Sequence, residues 1–301
     1  MRKTLGIIMV AVVVVMAAVS MSSAESKIDI WSVIENNNLE KFQTWLANKP
    51  NLNIRNREKS TPLMYAVKWV NPTMVGQLLA KGADLKLTDD YGNTVLHNLS
   101  AHEASVIKLE DLESITKQLL AKGAVVNVAN KVGDTPLIMA CYLYSATGRR
   151  DHGRMVIDLL LNAGATTNDR NKKGECALYI AAITHSTEVV RNLTKHGVDV
   201  NARFASNATA LLLAAQNKNT EMIRILLENG ADPNLATDSA STPLALLVQE
   251  NKNMEAVKLM IAHKADVNAT NKDGKTILNL ASWSKKYNSA IIKVLIDAGA
   301  K

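Results

Sequence analysis

The 301-residue chain reads as an all-α solenoid of about seven to eight helix-turn-helix units joined by short β-hairpin turns. The tripeptide Thr-Pro-Leu opens three segments, at Thr61, Thr135 and Thr242, and related segments open at Thr94, Cys176, Thr209 and Thr276. Successive openings lie 33, 41, 41, 33, 33 and 34 residues apart. A second series runs in step with the first: Gly82-Ala-Asp, Gly123-Ala, Gly164-Ala, Gly197-Val-Asp, Gly230-Ala-Asp, Lys264-Ala-Asp and Gly299-Ala. A period of this length means that each unit is one supersecondary element, whose apolar face is covered only by its neighbours.

The elements of a unit follow in order. Thr-Pro starts the first helix, with Thr as N-cap and Pro at the first helical position, where its missing N–H costs nothing. The Leu and Ala that follow make a narrow apolar face that lets helices approach closely. The second helix is seen in Glu221–Glu228, where Met222, Ile223, Ile225, Leu226 and Leu227 form the inward set. The glycine after it suits the left-handed position that ends a helix. A short extended stretch such as Ala265–Asn268 then leads into a turn such as Asn271-Lys-Asp-Gly274. An eighth, atypical unit precedes the series, running from Ile28 through Trp31, Phe42, Trp45 and Leu46 to Asn53. It lacks Thr-Pro-Leu, as a terminal cap does.

Segments such as Thr61-Pro-Leu-Met-Tyr-Ala, Thr94-Val-Leu-His-Asn-Leu and Thr135-Pro-Leu-Ile-Met-Ala, at a period near 33, resemble the ankyrin repeat. The resemblance covers residues 28–301. It implies a binding scaffold whose partner, another protein, meets a concave surface. That surface is made of turn tips and of the residues that follow the Ala of each first helix. Carried onto this chain, those positions include Lys68, Trp69, Tyr91, Lys131, Val132, Tyr142 and Leu143. Arg170, Lys172, Lys173, Arg203 and Trp283 continue the row. The middle of the row is basic and its flanks supply aromatics, a composition that fits a protein partner with an acidic patch. Two narrower readings follow from the resemblance. One is an immunity or inhibitor protein that neutralises a toxic effector, and the other is a helper of a haem enzyme such as catalase.

Composition agrees with helix stacking: 47% of residues are apolar and only 4% aromatic. The formal charge of +7 falls to +5 without Arg2 and Lys3, and the excess is spread along the chain. Such a mild, diffuse excess gives no reason to expect nucleic acid. Arg2 and Lys3, the apolar run from Leu5 to Val19 and the small residues Ser22-Ser-Ala24 before Glu25 form the pattern of a secretory signal. The expected organisation is therefore a signal peptide over residues 1–24 and a solenoid over 25–301. The mature protein is expected to be periplasmic or secreted, with no membrane attachment after cleavage. An uncleaved anchor is the rival reading, because residues 4–24 carry no charge.

Chemistry-bearing patterns are scarce. There is no Cys-x-x-Cys or His-Glu-x-x-His, no Gly-rich phosphate loop, and the six histidines are scattered. The expectation is a non-enzyme with no metal or cofactor. His97 occupies the histidine of the repeat motif and is expected to bond locally. Cys141 and Cys176, the only cysteines, are expected to be buried thiols rather than a bridge. The units that open at Thr94 and Thr135 are each eight residues longer, between the opening residue and the glycine, than those that open at Thr61, Cys176 and Thr209. These inserts, around 101–111 and 144–153, fall between the two helices of a unit, where they could pair with each other or face a partner. Finally, Ile291, Ile292, Val294, Leu295 and Ile296 predict an exposed apolar strip on the last helix that favours self-association.

Overall fold

A computed structural model describes residues 28–100, 107–145, 149–250, 253–282 and 289–301. The signal segment and Trp283 lie outside the described residues. Fifteen α-helices appear in the described part, and eight consecutive units stack along the chain. The cap unit is α1 (Ile30–Glu35) and α2 (Leu39–Ala47); the second is α3 (Pro62–Lys68) and α4 (Pro72–Ala80). The third pairs a 3₁₀ turn (His97–Ser100) with α5 (Leu109–Ala121), and the fourth pairs α6 (Pro136–Ser145) with α7 (Arg150–Asn162). Four units follow: α8 (Ala177–Ile183) with α9 (Thr187–Lys195), α10 (Ala210–Gln216) with α11 (Thr220–Glu228), α12 (Pro243–Glu250) with α13 (Met254–Ala262), and α14 (Ile277–Ser282) with α15 (Ser289–Asp297). The core is one continuous apolar cluster from Ile30 to Leu295.

The expected caps form. The hydroxyls of Thr61, Thr135, Thr209 and Thr242 accept the N–H three residues on, at 3.2–3.4 Å. Asn38, Asn71, Asn219 and Asn253 cap the second helices in the same way. A Thr or Asn cap of this kind contributes about 1 kcal/mol. Gly82, Gly123, Gly164, Gly197, Gly230 and Gly299 all have positive φ, and Lys264 takes the same conformation where the series lacks glycine.

The third unit departs from the pattern. Its first element is a single 3₁₀ turn rather than a helix, because the cap is diverted. The Thr94 hydroxyl bonds the His97 ring at 2.9 Å instead of a backbone amide, and the Thr94 N–H donates to the same Nδ1 at 3.0 Å. That N–H has no other role to play, so Nδ1 is the acceptor and Nε2 carries the proton. Nε2–H then donates to the Asp134 carbonyl of the next unit at 3.0 Å. His97 thus joins two repeats, which extends the expected local bond.

The expected β-hairpins are reduced to tight turns. Among the described residues there is no strand, only one isolated antiparallel bridge between Thr270 and Thr276. Each turn is closed by an N–H···O=C bond across four residues, as from Asn130 to Asp134 and from Asn171 to Glu175, and by a return bond across three, as from Gly133 to Asn130 and from Gly174 to Asn171. Side chains add to these. Asn56, Asp89, Asn130, Asn171 and Asn271 each accept from the N–H groups two and four residues on. A side-chain acceptor that serves two amides shapes the turn without a partner strand.

The inserts lengthen helices. Second helices elsewhere have nine residues, whereas α5 and α7 have thirteen, and α6 has ten. Parts of both inserts, 101–106 and 146–148, lie outside the described residues. The two segments do meet: the His152 Nε2 stands 3.3 Å from the Ile107 carbonyl. Cys141 and Cys176 are both buried free thiols, and burial pushes the Cys141 thiol far up. On α15, Ile291 and Leu295 are buried and Ile296 is exposed, so the apolar strip expected there is narrower than the helix pattern alone implies.

Candidate binding surface

The turns that precede the second, third, fourth and fifth units stand side by side and are tied at their tips. Asp90 N–H donates to the Glu58 carbonyl, Lys131 N–H to the Tyr91 carbonyl, and Lys172 N–H to the Val132 carbonyl, each at 2.9 Å. Gly133 makes the last approach possible. A Cβ there would lie 2.8 Å from the Lys172 nitrogen, and its φ of +87° is one that side-chain-bearing residues rarely adopt. The stitched tips expose Tyr91 (66%) and Val132 (55%), with Lys131, Lys172 and Lys173 also exposed around them. Among the described residues no tip bond continues from the turn at 171–174 to that at 204–207, and nothing lies within 4 Å of a Cβ on Gly174.

Phe204 explains the interruption. It occupies the position at which the other turns carry Asn, Asp or Thr, so it offers no side-chain acceptor. Its ring instead meets Tyr179 edge-on at 5.0 Å, and the Arg170 guanidinium lies over it at 5.8 Å. The Arg170 Nη1 also donates to the Gly174 carbonyl at 2.8 Å. Arg170 is exposed but already engaged.

Two further row positions are committed to the scaffold. The Arg203 Nη1 donates to the carbonyls of Asn207 and Ala236, at 2.8 and 2.7 Å, clipping its own turn to the next. Arg55 does the same to Lys59 and Thr88, at 3.1 and 2.7 Å. The Tyr142 hydroxyl donates to Glu175 at 2.6 Å, and Asn171 donates to Glu175 and to Asp134, each at 2.9 Å. Asn171 first and Tyr142 second hold the Glu175 carboxyl below its ordinary range, while burial and then Glu175 raise the Tyr142 hydroxyl. Leu143, expected beside Tyr142 on the outer row, is buried, because α6 continues through it and turns its side chain into the stack.

At the N-terminal end, Lys68 closes α3 and Trp69 caps it. Trp69 is half-buried and packs at 6.2 Å from Tyr65, which meets Trp31 edge-on at 5.4 Å. The Trp31–Tyr65 pair belongs to the same surface, yet the sequence row omitted both. Their meeting depends on a stacking register across 34 residues that only the fold reveals. The opposite face carries an ion-pair ladder between second helices: Arg154 with Glu188, Arg191 with Glu221, and Arg224 with Glu255. Among the described residues no group of three His, Cys, Asp or Glu could hold a metal ion, and no helix is long and apolar enough to cross a membrane.

Sequence models described as ankyrin repeats in three copies match residues 102–203, 143–237 and 214–301, and one described as ankyrin repeats in many copies matches 46–97. The phosphocholine transferase AnkX of Legionella pneumophila is 51% identical over 41 residues, which is 14% of this chain and 4% of that protein. The shared stretch is about one repeat long, so the chain spans a small fraction of that relative. With repeat models matching two thirds of its length and eight stacked units in its structure, the chain belongs to the ankyrin-repeat family.

Proposed function

We propose that this protein is a non-enzymatic, exported scaffold that holds another protein against its concave face. The observation that carries the reading is the stitched set of turn tips, which presents Tyr91 and Val132 within a ring of Lys131, Lys172 and Lys173. Three backbone bonds fix the tips in advance, so little ordering entropy opposes binding. An exposed aromatic flanked by lysines suits a partner surface with an apolar centre and an acidic rim. Export is supported by the charged start, apolar run and small residues of 1–24, and the mass of the mature chain, expected to begin at Glu25, tests it.

A photo-crosslinking residue placed at Tyr91 or Val132, in cells that express the protein, tests the site. The expected result is a discrete protein adduct that is absent when the probe stands at Lys117 or Arg191 on the second helices. Adducts from the second-helix positions alone overturn the assignment. The captured partner then separates the two narrower roles, a neutralised effector and an assisted haem enzyme.

A further inference from the structure

The end of the concave face nearest the cap unit holds a groove of about 720 Å³, open to solvent and lined by Trp31, Tyr65, Arg55, Arg57, Glu58 and Lys68. We infer that this groove takes an extended acidic segment of a partner protein, with one aromatic or aliphatic side chain packed on Trp31 and Tyr65. The inference rests on the concave-face reading above and names the chemistry recognised at one end of it.

Three features converge. The wall is apolar and fixed: Trp31 and Tyr65 meet at 84° and 5.4 Å, and the Tyr65 hydroxyl is held 3.4 Å from Glu35. Burial raises the Tyr65 hydroxyl, which therefore stays a neutral donor. Three cations, Arg55, Arg57 and Lys68, line the groove against one lining acid, Glu58, with Glu35 at the Tyr65 hydroxyl as a second acid beside it, so the excess is positive. The neighbouring acid Asp90 is already paired with Lys59 at 2.7 Å, so it does not offset that charge. Arg55 is immobilised by two carbonyls, which leaves its planar charge in place before a ligand arrives. Arg57 is exposed and forms no ion pair among the described residues. The volume falls in the range of small-ligand clefts, but the groove is open rather than enclosed, which suits a chain passing through it. A carboxylate next to an apolar residue would meet the exposed Arg57 at the rim, while the apolar group covers the aromatic wall.

Panning a random 12-residue phage-displayed peptide library on the full chain tests this. The expected outcome is a consensus with Asp or Glu flanking an aromatic or aliphatic residue. The synthetic consensus peptide is expected to bind Arg57→Glu at least 10-fold more weakly, and Trp31→Ala likewise, with helical circular dichroism retained in both. Arg57→Glu lies on an exposed turn, so it keeps the test decisive if Trp31→Ala disturbs the cap unit. Enrichment of no consensus, a consensus without acids, or binding insensitive to Arg57→Glu overturns the inference. So does equal competition by phosphatidylglycerol vesicles, which would show a preference for any anionic surface. If the peptide is lost on Lys172→Glu but not on Arg57→Glu, the concave reading stands and this groove does not. If only Arg224→Glu on the opposite face abolishes binding, both fall.

Discussion

A Cβ on Gly153 would lie 2.4 Å from both the Cα and the backbone nitrogen of Tyr144. The lengthened helices α6 and α7 therefore cross with backbone against backbone, and glycine is required there for space rather than for φ. The obstacle is main chain, which cannot swing aside as a flexible side chain would. Gly153→Ala is expected to destabilise the protein by about 2–3 kcal/mol, as overpacking of a tight contact does. Urea denaturation monitored by circular dichroism measures it. An unchanged midpoint would mean that α6 and α7 are not in contact at this point.

His97 predicts a pH dependence. Burial holds its imidazole below the ordinary value of 6.5, against smaller opposing effects from Asp134 and Asp89. The neutral ring is the form that fits, with Nδ1 accepting from Thr94 and Nε2–H donating to Asp134. The unfolded chain thus takes up a proton more readily than the folded one. The stabilisation is fully present above about pH 6.5 and is lost as pH falls through the lower, folded value. Compared with His97→Gln, the wild-type advantage is expected to shrink between pH 7.5 and 5. A gap that stays constant across that range would contradict the lowered ionisation of the buried His97 ring.

Arg203 is expected to behave as part of the scaffold. Its Nη1 bonds two carbonyls, one of them in the following turn, and hydrogen bonds from a charged group are each worth about 1.5–3 kcal/mol at most when partly screened. Arg203→Ala is expected to lower the unfolding free energy by about 1–3 kcal/mol. Lys172→Ala, an exposed neighbour on the row, is expected to change it by less than about 0.5 kcal/mol. Equal, negligible effects would show that Arg203 is free for a partner after all.

These contrasts show where the sequence was informative. Thr-Pro caps and post-helix glycines act through their own backbone, so Thr61, Thr135, Gly164 and Gly230 announced the units directly. The side-chain-shaped turns were also open to view, as an Asn or Asp five residues before most of the opening residues. Their role as substitutes for strand pairing was not, because a hairpin and a side-chain-closed turn share the same residue types. Arg203 could not be recognised as a clip, since its acceptors are carbonyls that every residue possesses. Gly153 and the Trp31–Tyr65 contact depend on how far an insert extends a helix and on the stacking register, and neither has a local signature. Tyr91, Lys131, Lys172 and Lys173 are exposed, whereas Leu143 is drawn inward by the extension of α6.

The central claim is that a partner is held by the stitched turn tips. The most direct measurement is the affinity of the crosslinked partner for paired variants on the two faces, read by isothermal titration at two salt concentrations. Tyr91→Ala is expected to weaken binding by about 1–3 kcal/mol. The triple change of Lys131, Lys172 and Lys173 to Ala is expected to weaken it mainly at low salt, because exposed charges are screened as ionic strength rises. Lys117→Ala and Arg191→Ala are expected to leave affinity unchanged, since each breaks only a surface ion pair. Full affinity in Tyr91→Ala and the lysine variant, with loss in Lys117→Ala or Arg191→Ala, would contradict the account and move the site to the second helices.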